Sequence, residues 1–198
     1  MSEVSQMDVA PRQDPGPQRR WKEALAVIVG LGLAAILGLG VWFLVRGDAS
    51  TDPVATASYG PVIVDEATLR AETARVGHTV YWMPPEGRSL ELTIMSDGTV
   101  HVRYFPAGAD QPGSQTPETT VSSWPMSDPL ARAQTSAASE GAMSQETAGG
   151  GLYVTGSDSP YNAYVAEPNA TALGEVYDPT PGKAWRDLTG GKVTVLQP

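Results

Sequence analysis

The sequence predicts one small α+β domain, an antiparallel sheet with about three helices, carried behind a single N-terminal transmembrane helix. Three observations predict it. Residues 24–45 are 22 consecutive positions without a charge or a strongly polar side chain. Behind them, short runs of period-two alternation are separated by Gly- and Pro-bearing turns, the pattern of a half-buried sheet. Between those runs stand stretches that open on Asp or Thr and close on Gly, as short helices do.

Residues 1–23 are polar, hold Pro11, Pro15 and Pro17, and lack an apolar period. They read as a disordered cytoplasmic tail. The run 24–45 would be about 33 Å long as a helix, enough for a hydrocarbon core of about 30 Å. Glycine disfavours helix in water, but lipid offers the backbone no other partner. A cleavable signal peptide would need a shorter apolar core and a small-x-small site close behind it. Ala55-Thr56-Ala57 is such a match, but it ends 12 residues past Val45, too far along. Arg12, Arg19, Arg20 and Lys22 precede the span, and only Arg46 follows before Arg70. Basic residues stay on the cytoplasmic side, so the amino terminus is expected inside and the bulk of the chain outside. Trp21 and Trp42–Phe43 fall near the two interfaces, where amphipathic rings settle.

Gly30, Ala34 and Gly38 are spaced by four and line one face of this helix, flanked by Gly32 and Gly40. Small residues at that spacing let two backbones approach and pack. The functional reading is contact with another transmembrane helix, of a second copy or of a larger membrane complex. The bland reading is a GC-rich coding sequence filling an apolar span. Residues 46–61 then form a polar tether, and 62–198 the extracytoplasmic domain.

Within the domain, Asp65 is a candidate N-cap for a helix carrying Leu69, Thr73 and Val76 on one face and closed by Gly77. "TVYWM" (79–83) reads as a strand ended by Pro84-Pro85. The clearest element is the hairpin "SLELTIMSDGTVHVRYF". A two-residue loop at Asp97-Gly98 would mix its faces. A three-residue loop, Ser96-Asp97-Gly98, opposes Ile94 to Val100, Leu92 to Val102, Leu90 to Tyr104 and Glu91 to Arg103. Residues 106–118 are a Pro/Gly/Gln loop, and "TTVSSW" (119–124) a candidate strand. Asp128-Pro129 starts a small-sided helix to about Glu140. Residues 141–151, ending in three glycines, read as a low-complexity loop. "LYVTG" (152–156), "YNAYVA" (161–166) and "GEVYD" (174–178) read as short strands. Thr180-Pro181 opens a last helix, stopped by Gly190-Gly191, and "KVTVL" (192–196) closes the domain.

Charge and composition exclude several functions. Residues 47–198 carry 8 Lys/Arg against 18 Asp/Glu, a formal charge of −10. Such a domain repels phosphate backbones, so no nucleic-acid partner is expected. The chain has no cysteine. That excludes thiol nucleophiles, Cys-ligated zinc and iron–sulfur clusters, leaves the core without disulfide help, and favours a bacterial envelope over a eukaryotic secretory setting.

No catalytic motif stands out. The two histidines, His78 and His101, lack a G-x-S-x-G or H-E-x-x-H companion and read as surface residues. Glu86/Glu91 and Glu175/Asp178 are the carboxylate pairs that could do glycosidase-like acid–base work. "GSDSP" and "SDG" lack the ligand series of a calcium loop, so neither metal nor cofactor is expected. Arg46-Gly47-Asp48 abuts the span, and Asn169-Ala170-Thr171 matters only in a eukaryotic secretory pathway. The aromatics offer more. Tyr81 and Trp82 are adjacent in a strand and point opposite ways, so one leaves the core face and offers a binding surface unless a helix covers it.

"VYWMPPEGRSLELTIMSDGTVHVRYFPAG" and "EVYDPTPGKAWRDLTGGKVTVL" resemble segments of uncharacterised single-pass membrane proteins of high-GC Gram-positive bacteria. The resemblance implies a bacterial envelope setting and supplies no activity. The expectation is therefore a membrane-anchored, non-enzymatic binding module or accessory subunit of a cell-envelope complex. The alternative is a membrane-anchored hydrolase of a cell-wall polymer using a carboxylate pair.

Overall fold

The computed structural model of the protein describes residues 58–112 and 118–196. Ten strands and three helices lie within them, an α+β arrangement. In chain order these are β1 (Tyr59–Val64), α1 (Glu66–Thr73), β2 (Tyr81–Trp82), β3 (Ser89–Ile94), β4 (Val100–Phe105), β5 (Thr119–Pro125) and α2 (Pro129–Ala137). β6 (Met143–Glu146), β7 (Leu152–Thr155), β8 (Asn162–Ala166), β9 (Ala172–Tyr177), α3 (Lys183–Thr189) and β10 (Thr194–Val195) follow. Among the described residues no helix is long and apolar enough to cross a membrane. The expected span 24–45, with Gly30, Ala34 and Gly38, lies outside the described residues.

Eight strands form one antiparallel sheet in the order β1-β3-β4-β5-β9-β8-β7-β6, and β10 pairs with β2 in a small second sheet. The large sheet is two four-stranded halves joined along β5 and β9. The hairpin of β3 and β4 has the expected register, with Leu90 opposite Tyr104, Leu92 opposite Val102 and Ile94 opposite Val100. Met95 N–H donates to Thr99 C=O at 2.8 Å, which closes the three-residue loop 96–98. Gly98 has φ +85°, the left-handed turn position that glycine adopts without a Cβ penalty.

Alternation sorts the sheet into two faces. Leu90, Leu92, Ile94, Val100, Val102, Tyr104, Val121, Ala163, Val165 and Val176 pack in the main core with Leu69 of α1 and with Ala184 and Leu188 of α3. The other helix, α2, lies against β7, β8 and β9 on the opposite face. Asp65 caps α1 by accepting from Thr68 N–H at 2.7 Å, and Asp128 caps α2 by accepting from Ala131 N–H at 2.9 Å, with Pro129 in the first turn.

Several boundaries differ from the expectation. The first strand begins at Tyr59, inside the stretch 46–61 read as tether. Pro61 disguised it, and an edge strand tolerates a residue with no N–H. β6 lies inside the low-complexity stretch 141–151, because a polar edge strand has no apolar face to betray it. α3 starts at Lys183, with Gly182 at φ +70° before it, not at Thr180-Pro181.

Tyr81 and Trp82 correct the expected binding surface. They are 2% and 5% exposed and belong to the core. β2 is held over the main core by bonds to the larger sheet: Tyr81 N–H donates to Ser123 Oγ at 2.9 Å, and Met83 N–H to Tyr104 Oη at 2.7 Å. Tyr81 packs against Gly174, and its hydroxyl accepts from Glu167 N–H. Arg70 of α1 lies over the Trp82 ring at 5.1 Å. A helix does cover the strand, through a guanidinium on its flank.

Candidate functional site

The face opposite the main core holds the chemistry. α2 occupies its β7–β9 side, while the β3–β5 side carries no helix among the described residues. Strand register sets Thr93, His101, Ser122, Glu175 and Tyr164 in one row across five neighbouring strands. Alternation points these side chains to the same side, away from the main core.

Glu175 is the centre of the row. Trp124 Nε1–H donates to its Oε2 at 3.0 Å, and Asn162 Nδ2–H donates to Oε1 at 2.8 Å. Burial pushes the Glu175 carboxyl above its ordinary value, partly opposed by hydrogen bonds from Asn162, Trp124 and Tyr164. The Tyr164 hydroxyl is itself raised, by burial first and then by the Glu175 charge. Next to Glu175 in the row, Ser122 Oγ lies 2.9 Å from His101 Nδ1. The His101 ring meets Trp124 edge-on at 5.5 Å. Burial lowers His101 below its ordinary value, aided by Arg103 and opposed by Asp97. The same burial thus favours the neutral form of both His101 and Glu175, and sets an imidazole beside a hydroxyl, the pair from which a base and a nucleophile are built.

The carboxylate pairs expected from sequence are not this site. Glu91 is buried and ion-paired with Arg103 at 2.8 Å, while Glu86 is exposed in the turn before β3. Glu175 and Asp178 are three residues apart on an extended chain and point to opposite faces. Asp178 accepts from Thr119 Oγ1 at 2.6 Å and pairs with Lys183 Nζ at 2.8 Å. Lys183 also pairs with Asp187 at 2.7 Å, and Lys192 reaches Asp187 at 3.0 Å. That network ties α3 to the end of β9.

His78 is half-buried beside a cavity of about 260 Å³ between the end of α1, Thr171 and Leu196. Its Nδ1 and Nε2 lie 2.8 Å from the carbonyl oxygens of Thr79 and Gly98. A neutral ring has one N–H and serves one of them; the charged ring serves both. The bonds tie the β2 approach to the hairpin turn, which is a structural duty. Among the described residues no group of three or more His, Asp or Glu is placed to hold a metal ion.

The sequence reading missed the Trp124–Glu175–Asn162 group. Its members are 51 residues apart at the widest, and only the β5–β9 and β8–β9 pairings join them. The one available signal was local: Ser122 and Trp124 share a strand face at spacing two. No family model, no curated protein and no solved structure matches the chain.

Proposed function

We propose that the chain is a single-pass membrane protein with a cytoplasmic amino terminus and an extracytoplasmic α+β domain. It serves as a non-enzymatic binding module or accessory subunit of a cell-envelope complex. The observation that carries this reading is the uncharged run 24–45, preceded by Arg12, Arg19, Arg20 and Lys22. Lipid bilayer is the first partner; a second span against Gly30, Ala34 and Gly38 is the next. The absence of cysteine supports the bacterial setting. The half-buried His101 and Glu175, on either side of the buried Ser122, replace Tyr81 and Trp82 as the groups offered to a ligand.

Alkaline extraction of membranes, with protease added to intact cells, tests the topology. The chain should resist extraction, and its carboxy-terminal half should be cleaved from outside. Recovery in the aqueous fraction would overturn the reading. Gly30→Leu with Gly38→Leu should then abolish co-purification of a membrane partner in mild detergent.

A membrane-anchored hydrolase of a wall polymer is the second reading. What favours it is the His101–Ser122 contact beside the Glu175 carboxyl. Turnover of wall polymer by the wild type that disappears in Ser122→Ala, with membrane location unchanged, would establish it over the first.

A further inference from the structure

The two edges of the large sheet are not alike. β1 closes one edge with Pro61, which has no N–H, and with a register shift between Tyr59 and Val62. Proline and bulges are how sheets protect an edge from pairing. β6 forms the other edge and has neither device. All four of its residues are exposed, Met143 at 55%, and it carries no Lys or Pro.

The direction of its backbone groups, which among the described residues pair only with β7, follows from hydrogen bonds at both ends of the strand. Thr147 N–H donates to Gly151 C=O, and Gly141 C=O accepts from Ser157 N–H. Both fit the β6–β7 register, so odd-numbered residues turn their backbone groups toward β7. Ser144 and Glu146 therefore turn theirs outward, as does the Ala142 carbonyl; Ala142 N–H is held by Ser139 C=O at 3.1 Å.

We infer that β6 pairs antiparallel with β6 of a second copy of this chain, joining two sheets into one continuous sheet. The closed β1 edge selects this occupant: a β6–β1 contact would propagate into fibres, and Pro61 blocks it, which leaves the self-paired, two-fold arrangement. Charge places the axis. A two-fold at Glu146 would set two carboxylates face to face, whereas one at Ser144 or Gln145 opposes Glu146 to Ala142 or to Ser144. A four-residue strand buries less than a free dimer in solution needs, so pairing draws on two chains sharing one bilayer. In that respect the inference rests on the membrane-anchored reading.

The absence of cysteine makes the test direct. Ser144→Cys and Gln145→Cys are introduced singly into the full chain, with Met95→Cys as control. Met95 is exposed on the β3–β4 turn. Each protein is reconstituted in phosphatidylcholine–phosphatidylglycerol vesicles, floated to establish membrane insertion, and oxidised mildly. Opposed residues in an antiparallel pair have Cα atoms about 4.5–5.5 Å apart, within disulfide reach. Cross-linked dimer at 144 or 145, at least tenfold over Met95→Cys, supports the pairing. Adding Glu146→Pro removes an outward N–H without touching the bonds to β7, and should return the cross-link to the control level. Floated protein without a selective cross-link overturns the inference and leaves the anchor standing. Protein that does not float overturns the anchor, and with it the inference unless concentrated soluble chain still cross-links selectively. Efficient cross-linking at all three positions indicates a dimer held elsewhere and also overturns it.

Discussion

Trp124 donates its indole N–H to the Glu175 carboxylate at 3.0 Å, across the seam where the two halves of the sheet meet. The bond fixes the indole over the polar row and gives a half-buried carboxyl one of its few donors. Burial raises Glu175, so the folded state holds that proton more tightly than the unfolded chain does. A raised folded value means the stability from this group is fully present below the unfolded value, ordinarily 4.5, and is lost as pH rises through the folded one. Glu175→Gln cannot titrate. Its melting temperature, subtracted from that of the wild type at each pH, should show the wild type's relative stability falling from pH 4 to pH 7. A difference that rises over that interval would contradict the assignment.

Trp124→Phe keeps an aromatic ring and deletes the donor. Hydrogen bonds to charged groups are worth about 1.5–3 kcal/mol, so a loss of that order is expected at pH 7. The loss should shrink at acid pH, where the neutral carboxyl needs the bond less. Urea unfolding at the two pH values measures both numbers.

The α3 network carries the opposite pH sign. Burial alone would raise Asp178 and Asp187, but the hydrogen bonds and charge of Lys183, with Thr119 at one and Lys192 at the other, leave both lowered. Their stability is present above the ordinary carboxylate value, 3.8, and is lost as pH falls through the folded ones. Lys183→Met leaves Asp178 with the Thr119 hydroxyl and the Thr180 N–H but no cation, and because the lysine is itself 35% exposed the loss should be about 1–3 kcal/mol. Lys192→Ala, at a half-exposed lysine, should cost about 1 kcal/mol or less. The gap between wild type and Lys183→Met should narrow as pH falls, read from urea midpoints.

What the sequence made legible was local. Asp65 and Asp128-Pro129 announce helix starts because capping needs only neighbours. The 90–104 register follows from alternation and one loop length. Edge strands were harder to read: β1 contains Gly60-Pro61 and β6 has Met143 as its one apolar residue, so neither shows the half-buried pattern. Tyr81 and Trp82 were read by strand alternation, yet a two-residue strand lying over a larger sheet is enclosed from both sides. The Glu175 group depends on β9 returning to β5 rather than to β4, a pairing that no spacing along the chain encodes.

The hairpin turn gives a small, clean test. Gly98 at φ +85° would place an alanine Cβ against the backbone, at about 1–2 kcal/mol. Gly98→Ala should be destabilised by that amount, and Gly98→Asn by clearly less, because asparagine visits the left-handed region more readily. Equal losses would mean the turn has another conformation.

Gly174 lies where β8, β9 and β2 come together, so it tests the layer that buries Tyr81. A Cβ there would stand 2.6 Å from Val165 Cγ1 and 2.8 Å from Tyr81 Cδ2. Both neighbours sit in the core, Tyr81 bonded at its N–H and its hydroxyl, so neither moves freely. Gly174→Ala should therefore cost about 1–3 kcal/mol by overpacking. Val165→Ala alone should cost somewhat more, because it opens a cavity. The double variant gives the deleted valine methyl groups' space to the new Cβ, so its loss should be smaller than the sum of the two by at least about 0.5 kcal/mol, the coupling expected of residues in contact. A strictly additive double-mutant cycle would show that β2 does not press on β9 at this position, and Tyr81 would have to be placed elsewhere.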